Sequence, residues 1–362
     1  MQDGLFDDLP PDPPPPPAAP APRQRAAAKP VTGPGPATPP ARLIDVGAQL
    51  PGLLRMGAST WSYPGWEDLV WDGAYDASVL AKKGLTAYAR HPLLRTVCID
   101  RSFWRPLTVS QYLAYACQVP EDFRFVVKCP SVVTDALVRA EDGRGRETNP
   151  AFLDAQLAVS AFVQPTLEGL GARLGVLVFQ LSPLTWDWLS RPAALFARLQ
   201  TLLETVQAQL VQHPEVIVAV EVRDPELLAP TVAPAFAQAL RATGATFCLG
   251  LHGKMPPIEE QLPLLRSLWP GPLVCRWSLN RRFGPYGYED AQKAHAPFNQ
   301  IVSPDPHTRA LLARTIAGIT AAGQRAYVTV SNDAEGCGPR SMALLAEEVL
   351  LARAAPPAGL SA

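Results

Sequence analysis

Residues 174–180 read LGVLVFQ and residues 216–222 read VIVAVEV. Both are almost unbroken apolar, β-branched runs that become polar only at their ends. A strand with one wet face alternates apolar and polar side chains. A strand covered on both faces has no reason to alternate, and it reads as these two do. Six further runs share the character: Leu54–Ser59, Thr96–Asp100, Phe123–Lys128, Thr246–Leu251, Leu273–Trp277 and Ala326–Val330. With Leu174–Gln180 and Val216–Glu221 they make eight. The segments between them have helical length and punctuation. Ser78–Arg90 repeats apolar residues at three to four spacing, and Asn149-Pro150 opens a stretch reaching Leu170. Arg191–Val211 carries Leu195, Leu199, Leu202, Leu203 and Val206 on one stripe, and Asp224-Pro225 opens another segment ending near Gly244. His307–Ala322 and Ser341–Ala354 complete the set. Eight β/α alternations within the body predict an α/β fold, a single (β/α)8 barrel of TIM type, over a doubly wound open sheet.

Composition sets the limits. The chain has 362 residues and 40 prolines, 14 of them in the first 40 positions. Residues 1–50 therefore read as a disordered Pro/Ala-rich tail that lacks the apolar area to offset chain entropy, and residues 51–356 as the barrel. The balance of 32 Lys+Arg against 33 Asp+Glu excludes a generally basic nucleic-acid coat. A mean hydropathy of +0.04, with no apolar run of about 18 residues, predicts no membrane contact. Six cysteines without a C-x-x-C pair give no zinc or redox motif and read as reduced core thiols. The start, MQDGLFDDLP, has no basic n-region, which leads to the expectation of a cytoplasmic protein.

In such a barrel function sits at the C-terminal strand ends. There the sequence offers Trp61, Tyr63 and Trp66 after the first strand and Asp100, Phe103, Trp104 and Arg105 after the second. Lys128, Gln180, Glu221 with Arg223, His252 with Lys254, Arg276, and Asn332 with Asp333 follow on the remaining strands. Glu221 and Arg223 are two apart on a strand and share a face. Arg223 would hold a phosphate or carboxylate bidentately while Glu221 acts as base; alternatively the two pair with each other or with Lys128. The aromatics Trp61, Tyr63 and Trp66, with Phe103 and Trp104 beside them, would stack on a flat or sugar-like ligand, or close the barrel top as a lid. Arg144 and Arg146 read as a solvated loop. No cofactor is expected, since dinucleotide, P-loop and histidine-metal motifs are missing, although Asp100, Glu221 and Asp333 leave room for a divalent metal.

Several stretches together resemble one family, the YecE-like proteins (domain of unknown function 72). They are GASTWSYPGW, TVCIDRSFWR, PEDFRFVVKCP, LGVLVFQLSP, VAVEVRDPELL and SNDAEGCGP, spread from about Met56 to Leu351. The resemblance implies a TIM barrel and no settled activity. Its pattern falls on Trp61, Tyr63, Trp66, Phe103, Arg105, Lys128, Gln180, Glu221, Arg223, Arg276 and Asn332. The sequence departs from that pattern at Cys98, Asp100, Trp104 and Asp135, and again at Arg276-Trp277-Ser278-Leu279.

The functional expectation is a barrel that binds or processes an anionic, phosphate- or nucleotide-like ligand, with Glu221, Arg223, Lys128 and Asp100 as catalytic candidates. If an enzyme, it would be a hydrolase or isomerase on a phosphorylated or nucleic-acid-like substrate. Two alternatives stand beside it. One is a barrel without chemistry. The other is an adaptor, because Gln2-Asp3-Gly4-Leu5-Phe6 resembles the Gln-x-x-Leu-Phe peptides that dock on the bacterial DNA sliding clamp.

Overall fold

The computed structural model describes residues 33–139 and 145–354. The clamp-like peptide of Gln2, Leu5 and Phe6, and Arg144, lie outside the described residues. Eight parallel strands close into a barrel: β1 Leu54–Ala58, β2 Leu94–Ile99, β3 Arg124–Lys128, β4 Leu174–Gln180, β5 Ile217–Glu221, β6 Thr246–Leu251, β7 Leu273–Trp277 and β8 Ala326–Val330. The order around the barrel is β1-β8-β7-β6-β5-β4-β3-β2, so each strand pairs with its chain neighbours and β1 meets β8. All eight expected runs are strands of the barrel, and the expected fold is the observed one.

The two-residue period of a strand sorts side chains between interior and helical shell. Cys98, Val126, Val176, Val178, Ile217, Ala219, Cys248, Val274 and Tyr327 fill the interior as a cluster of their own. The larger cluster lies between strands and helices, and includes Leu177, Phe179, Val218 and Val220 from the same strands. Continuing the inward period to the strand ends brings up Lys128 after Val126, Gln180 after Val178, Glu221 after Ala219, and Arg276 after Val274. The polar site therefore stands directly on the apolar interior. Gly57 is required where β1 presses on β2, since a Cβ there would stand 1.7 Å from the Thr96 carbonyl oxygen.

The helices agree with the expected segments in place, with local differences. Ser78–Arg90 is two helices, Ala77–Lys83 and Leu85–Tyr88, parted at Gly84. The stretch before Leu170 runs as Ala155–Ala158, a π-turn Val159–Val163 and Gln164–Leu170; the wider turn stands just ahead of Pro165, which lacks the N–H a regular turn would need. Helices Val109–Ala116, Ile258–Ser267 and Tyr288–His295 and a hairpin, Leu137–Arg139 with Gly145–Thr148, are additions to the sequence reading.

The folded part begins earlier than the sequence suggests. Residues 33–50 are not tail: Ala41–Gln49 is a helix packed against Gly338–Ala354. Val46 and Leu50 are buried, Arg42 pairs with Glu347 at 2.9 Å, and Arg95 donates to the Gly47 carbonyl at 3.1 Å. Proline-rich composition up to Pro40 masks a helix that starts one residue later. Among the described residues no helix is long and apolar enough to cross a membrane.

Candidate functional site

A cavity of about 410 Å³ opens at the C-terminal ends of the strands. Its wall includes Tyr63, Asp100, Trp104, Lys128, Arg223, Arg276, Tyr288 and Asp333. The floor is an ion network. Glu221, wholly buried, pairs through Oε1 with Arg223 Nη2 and through Oε2 with Arg276 Nη1, both at 2.6 Å. Arg276 Nη2 donates to both carboxylate oxygens of Asp100, at 2.7 and 3.0 Å. Gln180 Oε1 accepts from Arg223 at 3.0 Å and from Arg276 at 3.2 Å. Four strands thus deliver side chains into one network, which fixes the guanidiniums without a ligand.

This geometry corrects the role expected for Glu221. Burial alone would raise its pKa, but Arg223, Arg276 and Lys128 outweigh burial and hold it at about 2. A carboxylate gripped by two guanidiniums and closed to solvent is a poor proton acceptor. Of the alternatives read from the sequence, pairing between Glu221 and Arg223 is the one realised. Asp100 likewise spends its oxygens on Arg276. Among the described residues no three His, Cys, Asp or Glu side chains converge as metal ligands do.

Lys128 is different. It is 9% exposed, its Nζ sits 3.7 Å from the Phe103 ring centroid, and that ammonium has no hydrogen bond or ion pair among the described residues. Burial pulls its pKa down to about 8, against the opposing pull of Asp100. The network pairs two cations, Arg223 and Arg276, with two carboxylates, Glu221 and Asp100, and leaves Lys128 outside it on a cavity wall whose remaining carboxylate is Asp333.

Asp333 supplies a group able to carry a proton. Burial lifts its carboxyl to about 6, only partly offset by the Ser331 hydroxyl, and its Oδ1 has no partner. A carboxyl raised in the folded state costs stability when ionised: the cost is absent below about pH 4 and grows as pH rises through 6. Asp333→Asn should therefore stabilise the protein by about 3 kcal/mol at pH 8 and by very little at pH 4. Urea unfolding at the two pH values checks this. Tyr63 is held protonated, at about 12, by burial and by the Asp333 charge. His252, pushed to about 3 by burial and by Arg223, is neutral, and its Nδ1 accepts from the Lys254 amide at 3.0 Å.

The expected aromatic platform is only partly present. Tyr63 faces the cavity, but Trp61 and Trp66 do not. Trp61 donates to the Leu80 carbonyl at 3.1 Å and packs edge-on against Tyr115. Trp66, in the short turn Pro64–Trp66, is fully buried and donates to Asn332 Oδ1 at 3.2 Å. Asn332 also accepts from the Gly338 amide at 2.8 Å, so both are wall residues that tie the first loop to the last. Trp66→Ala should cost about 3–5 kcal/mol, read as a fall in the urea midpoint. Phe103 lies beneath Lys128, and Arg105 is exposed and outside the cavity lining. The other flat surfaces at the mouth are Trp104, 80% exposed and one of the expected aromatics, and Tyr288. Tyr288 was missed because its segment, GPYGYED, carries no period that marks it.

The family model described as "Protein of unknown function DUF72" matches residues 55–360. The chain belongs to the DUF72 family. Two crystal structures of a DUF72 protein from Enterococcus faecalis align at 16% and 15% identity, with TM-scores of 0.54 and 0.52. Each covers 82% of this chain, and 95% and 97% of the other. A DUF72 protein from Thermotoga maritima aligns at 16% identity and a TM-score of 0.48, over 82% of this chain and 99% of its own. No curated protein matches. At these identities the likeness is one of fold.

Where the sequence departs from the DUF72 pattern, local partners occupy the positions. Cys98 Sγ donates to Asp100 Oδ1 at 3.1 Å, in the barrel interior. Asp135 braces the hairpin by pairing with Arg139 and accepting from the Leu137 amide at 3.0 Å. Ser278 and Trp104 line the cavity itself. Three of these positions, Asp100, Trp104 and Ser278, thus stand at the mouth.

Proposed function

We propose that this DUF72 barrel binds and processes a small anionic ligand, phosphate- or nucleotide-like, at the C-terminal mouth. The observation that carries the reading is Lys128: a buried ammonium without a counter-ion, on the wall of a 410 Å³ cavity already lined by two guanidiniums. An unpaired buried cation is costly unless something anionic meets it. Arg223, held through Nη2 by Glu221 and Gln180, keeps its other N–H groups for phosphate or carboxylate oxygens, and Arg276, its Nη groups committed to Glu221, Gln180 and Asp100, adds positive charge behind it. Trp104 and Tyr288 offer faces for a base or sugar at the opening. Asp333 and Tyr63 stand on the same wall as candidates for moving a proton.

A thermal-shift panel of inorganic phosphate, glycerol 3-phosphate, nucleoside monophosphates and acetate tests this reading. A ligand at 100 times its dissociation constant adds about 2.7 kcal/mol, which raises the melting temperature visibly. The expected result is a rise with phosphate-bearing compounds that disappears in Lys128→Met. The reading is abandoned if none of the anions raises the melting temperature, or if Lys128→Met responds as the parent does.

A further inference from the structure

Resting on the anion reading, we infer that Lys128 is a covalent nucleophile, forming an iminium with the carbonyl carbon of an anionic aldehyde or ketone. Lys82 and Lys83 are exposed, Lys254 pairs with Asp224 at 3.3 Å, and Lys293 lies 4.0 Å from Glu289. Lys128 alone among the described lysines is buried, unpaired and on a cavity wall. An amine becomes a nucleophile when its surroundings favour the neutral form, through desolvation or neighbouring cations. Lys128 has both: its side chain is closed in against Phe103, and Arg223 and Arg276 share its cavity. The lowering of its pKa to about 8 is consistent with that placement. Desolvation leads that lowering, and Arg276 and Arg223 add to it against the opposing pull of Asp100 and Glu221.

The neutral Nζ attacks the carbonyl carbon, a C–N bond forms, and one amine proton passes to the carbonyl oxygen. A second proton, from the Asp333 carboxyl, lets that oxygen leave as water while the nitrogen lone pair closes the C=N bond. The product is an iminium cation, which keeps the single positive charge Lys128 carried when protonated. One proton is taken up overall, and no oxidant or reductant is needed. A polar cavity of about 410 Å³ accommodates a small keto acid or sugar phosphate.

The test uses the full chain with dihydroxyacetone phosphate or pyruvate as carbonyl probes, followed by borohydride, which reduces the iminium to a stable secondary amine. Glycerol 3-phosphate, which lacks the carbonyl, serves as the matched anion. Intact mass should show one adduct per chain with a carbonyl probe and none with glycerol 3-phosphate. Peptide mapping should place the adduct on Lys128, and Lys128→Met should lose it. If both carbonyl probes leave Lys128 unlabelled while glycerol 3-phosphate still raises the melting temperature, the nucleophile is refuted and the anion site stands. If glycerol 3-phosphate gives no rise and no adduct forms, both readings fall. Labels confined to Lys82 and Lys83 count against the inference, being ordinary surface chemistry.

Discussion

Glu221→Gln is expected to destabilise the barrel by about 3–5 kcal/mol, lowering the melting temperature by roughly 10 °C. The substitution preserves shape and removes one charge. It leaves the buried guanidinium of Arg223 with no carboxylate partner and that of Arg276 with Asp100 alone. The loss comes from stranding cations in a site closed to water, more than from the pair's own worth. The double variant Glu221→Met/Arg276→Met should therefore lose clearly less than the sum of its single variants. The pH dependence has a fixed sign. Because the Glu221 pKa is depressed to about 2, its contribution is complete above the unfolded value near 4 and fades as pH falls towards 2. If Glu221→Gln unfolds at the parent's urea midpoint, the ion network is not what fixes the floor of the site.

Lys128→Met is expected to act in two opposite directions. The folded pKa of about 8 lies below the free value near 10.4, so the ammonium costs stability at every pH below 8. The cost is relieved only as pH rises from 8 towards 10. Methionine has a similar length and no charge to desolvate. The empty protein should therefore gain about 3 kcal/mol at pH 7, a gain that shrinks above pH 8. Binding should move the other way. Removing the unpaired cation from a buried anion site should cost about 2–5 kcal/mol, or roughly 30- to 3000-fold in affinity. A residue that lowers stability while empty and raises affinity when filled has the profile of a functional group, not a structural one.

The frame of this molecule is written plainly in the chain, and the loops are not. β4 and β5 are legible because strands buried on both faces need no polar alternation. Extending the strand period by one step leads to Gln180, Glu221 and Arg276 at the mouth. The partners within that network are not legible: two residues on one strand face, Glu221 and Arg223, fit an anion clamp or a mutual pair equally well until Arg276 arrives from β7. The aromatics of the first loop mislead for a related reason. Trp61 and Trp66 are close in sequence to Tyr63, but the short turn Pro64–Trp66 buries Trp66 on Asn332, while Trp61 reaches the Leu80 carbonyl. No periodicity governs such a turn. Trp104, read as a neighbour of Phe103, stands at the opening, with Phe103 beneath Lys128.

The claim on which the rest depends is that Lys128 completes an anion site at the barrel mouth. Calorimetric titration of glycerol 3-phosphate into the full chain and into Lys128→Met, at pH 7 and fixed ionic strength, tests it most directly. The account predicts saturable one-site binding to the parent and at least about a 30-fold loss in the variant, although the variant is the more stable protein. Equal affinity in the two proteins, or no heat in either, would contradict it.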